Sequence, residues 1–183
     1  MTGVQTCALP IFAAVPANAA LKEADLNPGD APPERIGRAE DGKPLLMSAY
    51  KGRVVIVTFW ASWCGPCRKE LPVLEALQRK VSADKLLVIA VNWQENNEDY
   101  RSIKRTLKEF QLTLTHDGNG ELGRKFGVHS IPHMFIIGKD GRIAYERSGY
   151  GEGSIPELVD DINAALAVPY DESPPPPAPT SNP

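Results

Sequence analysis

From Val54 to Trp60 the chain reads Val-Val-Ile-Val-Thr-Phe-Trp, apolar or β-branched throughout. A run without polar alternation predicts a strand buried on both faces of a sheet. Residues 86–91, Leu-Leu-Val-Ile-Ala-Val, have the same character. Between the two, Leu71, Leu74, Leu77 and Val81 recur at helical spacing and predict a helix packed on that sheet. Pro72 falls inside it and is expected to kink it. A strand-helix-strand unit of this kind implies parallel pairing and a right-handed crossover. The class is therefore α/β.

The rest of the chain supplies shorter elements. Pro-rich residues 26–33 predict an extended lead-in, Asp41-Gly42-Lys43-Pro44 a turn, and Leu45-Leu46-Met47 a short strand. Asn97 stands as the cap of a helix whose apolar stripe is Tyr100, Ile103, Leu107 and Phe110. Arg101, Lys104, Arg105 and Lys108 lie between these positions and read as a solvated face. Residues 112–115, 134–137 and 142–147 read as strands, the last two joined at Gly138-Lys139-Asp140-Gly141. A short helix, Glu121–Phe126, follows the turn Asp117-Gly118-Asn119-Gly120 and ends at Gly127. Ser154-Ile155-Pro156-Glu157 has the form of a capping box for a last helix, with Ile155, Leu158, Val159, Ile162 and Leu166 on its buried face.

Composition bounds this picture at both ends. With 183 residues, one domain with tails is expected. A net charge of −3 gives no reason to invoke nucleic acid. No apolar run is long enough to span a bilayer. The first eleven residues resemble an in-frame translation of a sequencing-library adapter, so Cys7 is left out of the cysteine argument. Residues 12–20 read as the remnant of a secretory signal peptide, with cleavage after Ala19 in Ala17-Asn18-Ala19. The alternative is an Ala-rich leader on a cytosolic chain. Export to the periplasm is expected, with membrane attachment if the leader is kept. The boundaries are then residues 1–19 for the leader, 20–168 for the folded domain and 169–183 for a Pro-rich tail.

The chemistry centres on Cys64-Gly65-Pro66-Cys67, placed where a strand becomes a helix. Unpaired N–H groups and the helix dipole at that point favour an anion, and the thiolate is the reactive form of cysteine. Pro66 is tolerated because its missing N–H has no partner in a first turn. A single CxxC in an exported chain points to a redox dithiol. The loop is too short to stabilise much as a staple. Zinc needs four ligands, and His116, His129 and His133 lack partner spacing, so no metal and no separate cofactor are expected. In thiol-disulfide exchange Cys64 would attack and Cys67 would resolve the mixed disulfide.

Phe59-Trp60-Ala61-Ser62-Trp63-Cys64-Gly65-Pro66-Cys67 resembles the active-site signature of the thioredoxin superfamily, and more narrowly of its TlpA/ResA-like periplasmic branch. The likeness extends over roughly residues 27–166. It implies a thioredoxin fold, a central mixed sheet flanked by helices, with an added N-terminal β-hairpin. It also implies that Ile131-Pro132 is a cis pair facing the dithiol, where main-chain groups hold a client strand. Trp63, Gly65, Pro66, Ile131 and His133 would be client contacts, with Pro132 part of the catalytic centre. Many relatives have Thr in place of His133. Cytosolic thioredoxins carry a buried Asp where this chain has Thr58, which cannot ionise.

A proton acceptor must therefore come from elsewhere. Glu95, in the ResA-like context Val91-Asn92-Trp93-Gln94-Glu95, is one candidate, with an ordinary loop acid as the alternative reading. The resemblance further implies a monomeric reductase of protein disulfides, recharged by a membrane thiol reductase of DsbD or CcdA type. Apocytochrome c or a copper-site assembly protein would be the client. The alternatives are a thiol oxidase or isomerase, and a copper-handling protein using Cys64, Cys67 and His133.

Overall fold

The computed structural model of the chain describes residues 26–171. The leader with Cys7, and the tail from residue 172, lie outside the described residues. Two short strands, β1 (Arg35–Arg38) and β2 (Pro44–Leu46), form an antiparallel hairpin. They are followed by β3 (Val54–Trp60), α1 (Gly65–Val81), β4 (Leu86–Trp93), α2 (Asn97–Thr106) and β5 (Thr113–Asp117). The chain closes with α3 (Glu121–Phe126), β6 (His133–Ile137), β7 (Ile143–Ser148) and α4 (Ile155–Ala167).

Every residue of β3 is buried, as its unbroken apolar run requires. It occupies the middle of a five-stranded sheet ordered β5-β4-β3-β6-β7. It runs parallel to β4 and antiparallel to β6, so the sheet is mixed. Alternate side chains of β3 feed two cores. Val54, Ile56 and Trp60 pack with Leu71 and Leu74 of α1 and with Leu158 and Ile162 of α4. Val55, Val57 and Phe59 pack on the other face with Phe126 and Phe135. Each such side chain contributes about 1.5–3 kcal/mol on burial, which anchors the strand that delivers the dithiol. Buried Gln78 adds a polar clasp, accepting from Val88 N–H at 2.7 Å and donating to the Gln111 carbonyl at 2.9 Å.

Several boundaries differ from expectation, each for a physical reason. β4 runs two residues past Val91, because β5 extends to Asp117 and keeps it paired through Asn92↔His116 and Trp93↔Asp117. The cap of α2 is Asn96, whose Oδ1 accepts from Asp99 N–H at 2.9 Å, rather than Asn97. That helix stops at Thr106, so Leu107 and Phe110 reach the core from the turns beyond it. Ser154 makes no capping box, since its hydroxyl donates to the Gly151 carbonyl at 2.7 Å. Pro72 sits inside α1, exposed, and the helix continues past it to Val81.

The hairpin is held against β5 by a close approach at Gly37. Its φ is +140°, and a Cβ there would lie 2.5 Å from Thr115 Oγ1. The Arg38 N–H donates to that same hydroxyl at 2.9 Å. Gly37→Ala is expected to destabilise the protein by about 1–3 kcal/mol, through clash and backbone strain together. Urea unfolding measures this, and an unchanged midpoint would show that the hairpin is not seated as described.

Candidate active site

β3 ends at Trp60, and the next four residues form a turn closed by the Cys64 N–H donating to the Ala61 carbonyl at 3.1 Å. Cys64 is the N-cap of α1, and its sulfur accepts from the Cys67 N–H at 3.2 Å. An N-cap side chain normally supplies an oxygen to these free donors. Here the acceptor is a cysteine sulfur. The two sulfurs are joined in a disulfide with the Cα atoms 5.3 Å apart. Cys64 retains 5% exposure and Cys67 none, so an approaching disulfide meets the first sulfur. Gly65 and Pro66 between them are exposed, and Trp63 just before them is 64% exposed.

Ile131-Pro132 is a cis peptide. Pro132 is buried and its carbonyl accepts from the Gly149 N–H at 2.8 Å, while half-buried Ile131 packs on the core cluster that holds both cysteines. Among the described residues, no hydrogen bond occupies the main-chain groups of Ile131. A cleft of about 670 Å³ opens beside the dithiol, lined by Gly65, Pro66, Arg68 and Lys69 from α1 and by Tyr150 and Glu152 beyond β7. Lys69 and Glu152 face each other across it at 3.5 Å. His133 is buried at the start of β6. Its ring shares a sheet face with Phe135, stacks on it at 4.8 Å, and bonds Glu146 Oε1 at 2.7 Å. That is the face opposite α1, because strand alternation puts residues 133 and 135 on one side and the α1 core on the other.

One buried carboxyl was not legible at the outset. Glu70 is 2% exposed and lies one helical turn after Cys67. Its Oε2 accepts from the Thr58 hydroxyl at 2.9 Å. Burial pushes its pKa up to about 7, with the Thr58 hydrogen bond opposing. Thr58 thus leads to the ionisable group rather than replacing it. The available signal was the stripe Cys67, Leu71, Leu74 on α1, into which position 70 falls.

Glu95 is buried as well, at 4% exposure. Its Oε2 accepts from the Ser62 N–H at 3.1 Å and from Asn92 Nδ2 at 2.5 Å, and the Ser62 hydroxyl donates to Oε1. Its main-chain carbonyl meets His116 Nε2 at 2.7 Å, and that ring stacks on Tyr100 at 4.5 Å. His116 is accordingly half-buried, whereas His129 is exposed. Trp93 packs on the core below.

A dithiol at the head of a helix, on the central strand of a mixed sheet and beside a cis-proline, defines a thioredoxin-like thiol-disulfide oxidoreductase. The chain belongs to the Redoxin family, whose profile matches residues 27–166. It is 30% identical over 130 residues to the thiol-disulfide oxidoreductase ResA of Bacillus cereus, covering 70% of this chain and 73% of that protein. It is 34% identical over 121 residues to the thiol:disulfide interchange protein CycY of Rhizobium leguminosarum, covering 66% and 62% of the two. The solved structure of a thiol:disulfide interchange protein from Chlorobium tepidum superposes with a TM-score of 0.60 at 29% identity, covering 78% of this chain and 99% of that one. StoA of Bacillus subtilis, at 23% identity and a TM-score of 0.55, shares the fold. The chain thus has the thioredoxin fold with the added hairpin.

The raised pKa of Glu70 has a consequence for stability. Its pKa is about 7 when folded against 4.5 as a free side chain, so the folded state holds the proton longer. Above the lower value the unfolded chain ionises and gains, so stability falls as pH rises from about 4.5 to about 7 and then levels off. For the oxidised protein the fall is on the order of 3 kcal/mol. Glu70→Gln is expected to remove that slope. Urea unfolding of both proteins at intervals between pH 4 and pH 8 measures it, and identical pH profiles would refute the assignment.

Proposed function

We propose that the protein is an exported reductase of protein disulfides, with Cys64 the nucleophile and Cys67 the resolving thiol. The observation that carries this is the sulfur of Cys64 accepting a helix N-terminal N–H while a carboxyl with its pKa pushed up by burial, Glu70, lies one turn behind Cys67. In the reduced enzyme the Cys64 thiolate attacks a client disulfide, forming a mixed disulfide and releasing one client thiolate. Cys67 gives its proton to Glu70 and attacks Cys64, so that the second client sulfur leaves and the Cys64–Cys67 bond forms. A carboxyl with a pKa near 7 is matched to accepting and returning that proton at neutral pH. Electrons return from a membrane thiol reductase of DsbD or CcdA type.

Clients would lie across Trp63 and the Gly65-Pro66 turn, with a strand paired to the free main chain of Ile131. The likeness to the ResA and CycY proteins supports a protein client, and apocytochrome c haem-site cysteines or a copper-site assembly protein fit that description. Periplasmic location accords with the leader read in the sequence. The copper-handling alternative loses support from His133, which the sheet separates from α1. The Gly-Pro pair favours reduction over oxidation.

Two measurements test this. Equilibration with glutathione is expected to give a potential nearer that of thioredoxin, about −270 mV, than that of DsbA, about −120 mV. Cys67→Ser expressed in a periplasm is expected to accumulate mixed disulfides that name the client. For the proton route, Glu70→Gln is expected to slow resolution of the mixed disulfide at pH 7 by about 10²-fold while leaving the first attack unchanged. Single-turnover kinetics separate the two steps, and an unaltered second step would remove Glu70 from the mechanism.

A further inference from the structure

The loop from β4 sends a carboxylate sideways into the turn that carries the nucleophile, and the proton route does not use it. The turn Ala61-Ser62-Trp63-Cys64 has Ser62 and Trp63 as its central residues, closed by the bond from Cys64 N–H to the Ala61 carbonyl. Glu95 takes both polar hydrogens that Ser62 offers, its main-chain N–H at 3.1 Å and its hydroxyl. A third donor, Asn92 Nδ2 at 2.5 Å, comes from the fully buried end of β4, paired in register with Trp60 at the end of β3.

The carboxylate is itself held from behind. The Glu95 carbonyl is bonded to His116 at 2.7 Å, and Gln94, before it, adopts a φ of +51° with its N–H on the Asp117 carbonyl at 3.0 Å. A main chain in the left-handed region at a non-glycine residue persists only where its surroundings impose it. Of the residues downstream of Ser62, Trp63 is 64% exposed and Cys64 is the attacking sulfur. The clamp therefore fixes the direction of the two groups an incoming client meets first.

We infer that Glu95 is a positioning residue. Acting through Ser62, it locks the turn so that Trp63 and Cys64 are presented together to a protein disulfide. This rests on the reading of the chain as a reductase of protein disulfides, and it replaces a proton-carrying role for Glu95 with an orienting one. Geometry of this kind matters most to a large partner that must touch Trp63 and reach Cys64 at once. A small disulfide needs only the sulfur. A displacement of about 1 Å at such a site costs up to about 10²-fold in rate.

The test compares two probes, insulin as a protein disulfide and oxidised glutathione as a small one, on wild type, Glu95→Gln, Ser62→Ala and the double variant. Glu95→Gln keeps the shape but turns an amide NH₂ toward donors. It is expected to lower the insulin rate about tenfold, mainly through KM, and to leave the glutathione rate within about twofold of wild type. Ser62→Ala, which keeps the carboxylate, is expected to lower the insulin rate about threefold, with the double variant no slower than Glu95→Gln. Equal losses on both probes would place Glu95 in the chemistry of the sulfur and overturn the inference, as would no loss on insulin or simple multiplication of the two single effects.

Acrylamide quenching of Trp63, taken as the difference from Trp63→Phe backgrounds, reads the turn without any client. It is expected to change about twofold in Glu95→Gln, or in Ser62→Ala if the first variant folds poorly. Unchanged quenching overturns the inference. If wild type exchanges with glutathione but does not reduce insulin, the reductase reading fails on its own, and the quenching result still decides the role of Glu95.

Discussion

The structure depends on a sulfur standing where a helix cap should be. The first turn of α1 has free N–H groups that need an acceptor, and Cys64 provides it from the end of a strand buried on both faces. Stability and reactivity are thereby linked. A helix N-terminal donor favours an anion, so once the disulfide is reduced the interaction that caps the helix would also favour a thiolate at Cys64. For that to work β3 cannot slip. Its register with β4 and β6 runs almost its full length, and its side chains are committed alternately to two cores. A shift of one residue would exchange the faces of every side chain in the strand.

Two buried carboxyl groups flank this junction, and their surroundings separate what they can do. Glu70 has one hydrogen-bond donor, the Thr58 hydroxyl, and a desolvated site that favours the protonated form. Glu95 meets three donors from two residues, Asn92 on β4 and Ser62 in the turn after β3. A carboxyl with little solvation and one weak partner is suited to exchanging a proton. A carboxylate whose oxygens are engaged by several fixed donors is suited to holding those donors in place. Residue type alone does not distinguish the pair.

Much of the architecture was legible from periodicity, and the failures share a cause. The β3 run, the α1 stripe and the helix Glu121–Phe126 with its Gly127 stop were readable because burial or backbone conformation dictates residue type there. Asn96 and Asn97 are the same residue side by side, so which one caps α2 depends on the path of the preceding loop. Ser154-x-x-Glu157 has the composition of a capping box, but a helical turn directly before α4 puts the serine in a helical conformation and gives its hydroxyl a nearer acceptor. In the site, Cys64 and Cys67 stood out by their place where a strand becomes a helix, and the cis Ile131-Pro132 pair came from the family resemblance. Glu70 was missed because its role follows from which atoms surround it in the folded chain, and the partner that identifies it, Thr58, lies on another element.

Under the proposed mechanism, that partnership meets one chemical requirement that could be met from either side of a single interface. A proton acceptor for a resolving cysteine must be buried near it and must titrate near neutrality. A strand residue below the helix can supply the carboxyl directly. Here the strand supplies a hydroxyl and the helix supplies the carboxyl, one turn beyond Cys67. The hydroxyl gives the ionised form a hydrogen bond, and the surrounding apolar packing raises the cost of that same form. Burial outweighs the hydrogen bond and pushes the pKa up to about 7. Because Glu70 and Cys67 are on the same helix, their spacing is set by helix geometry and survives small movements of α1 over the sheet.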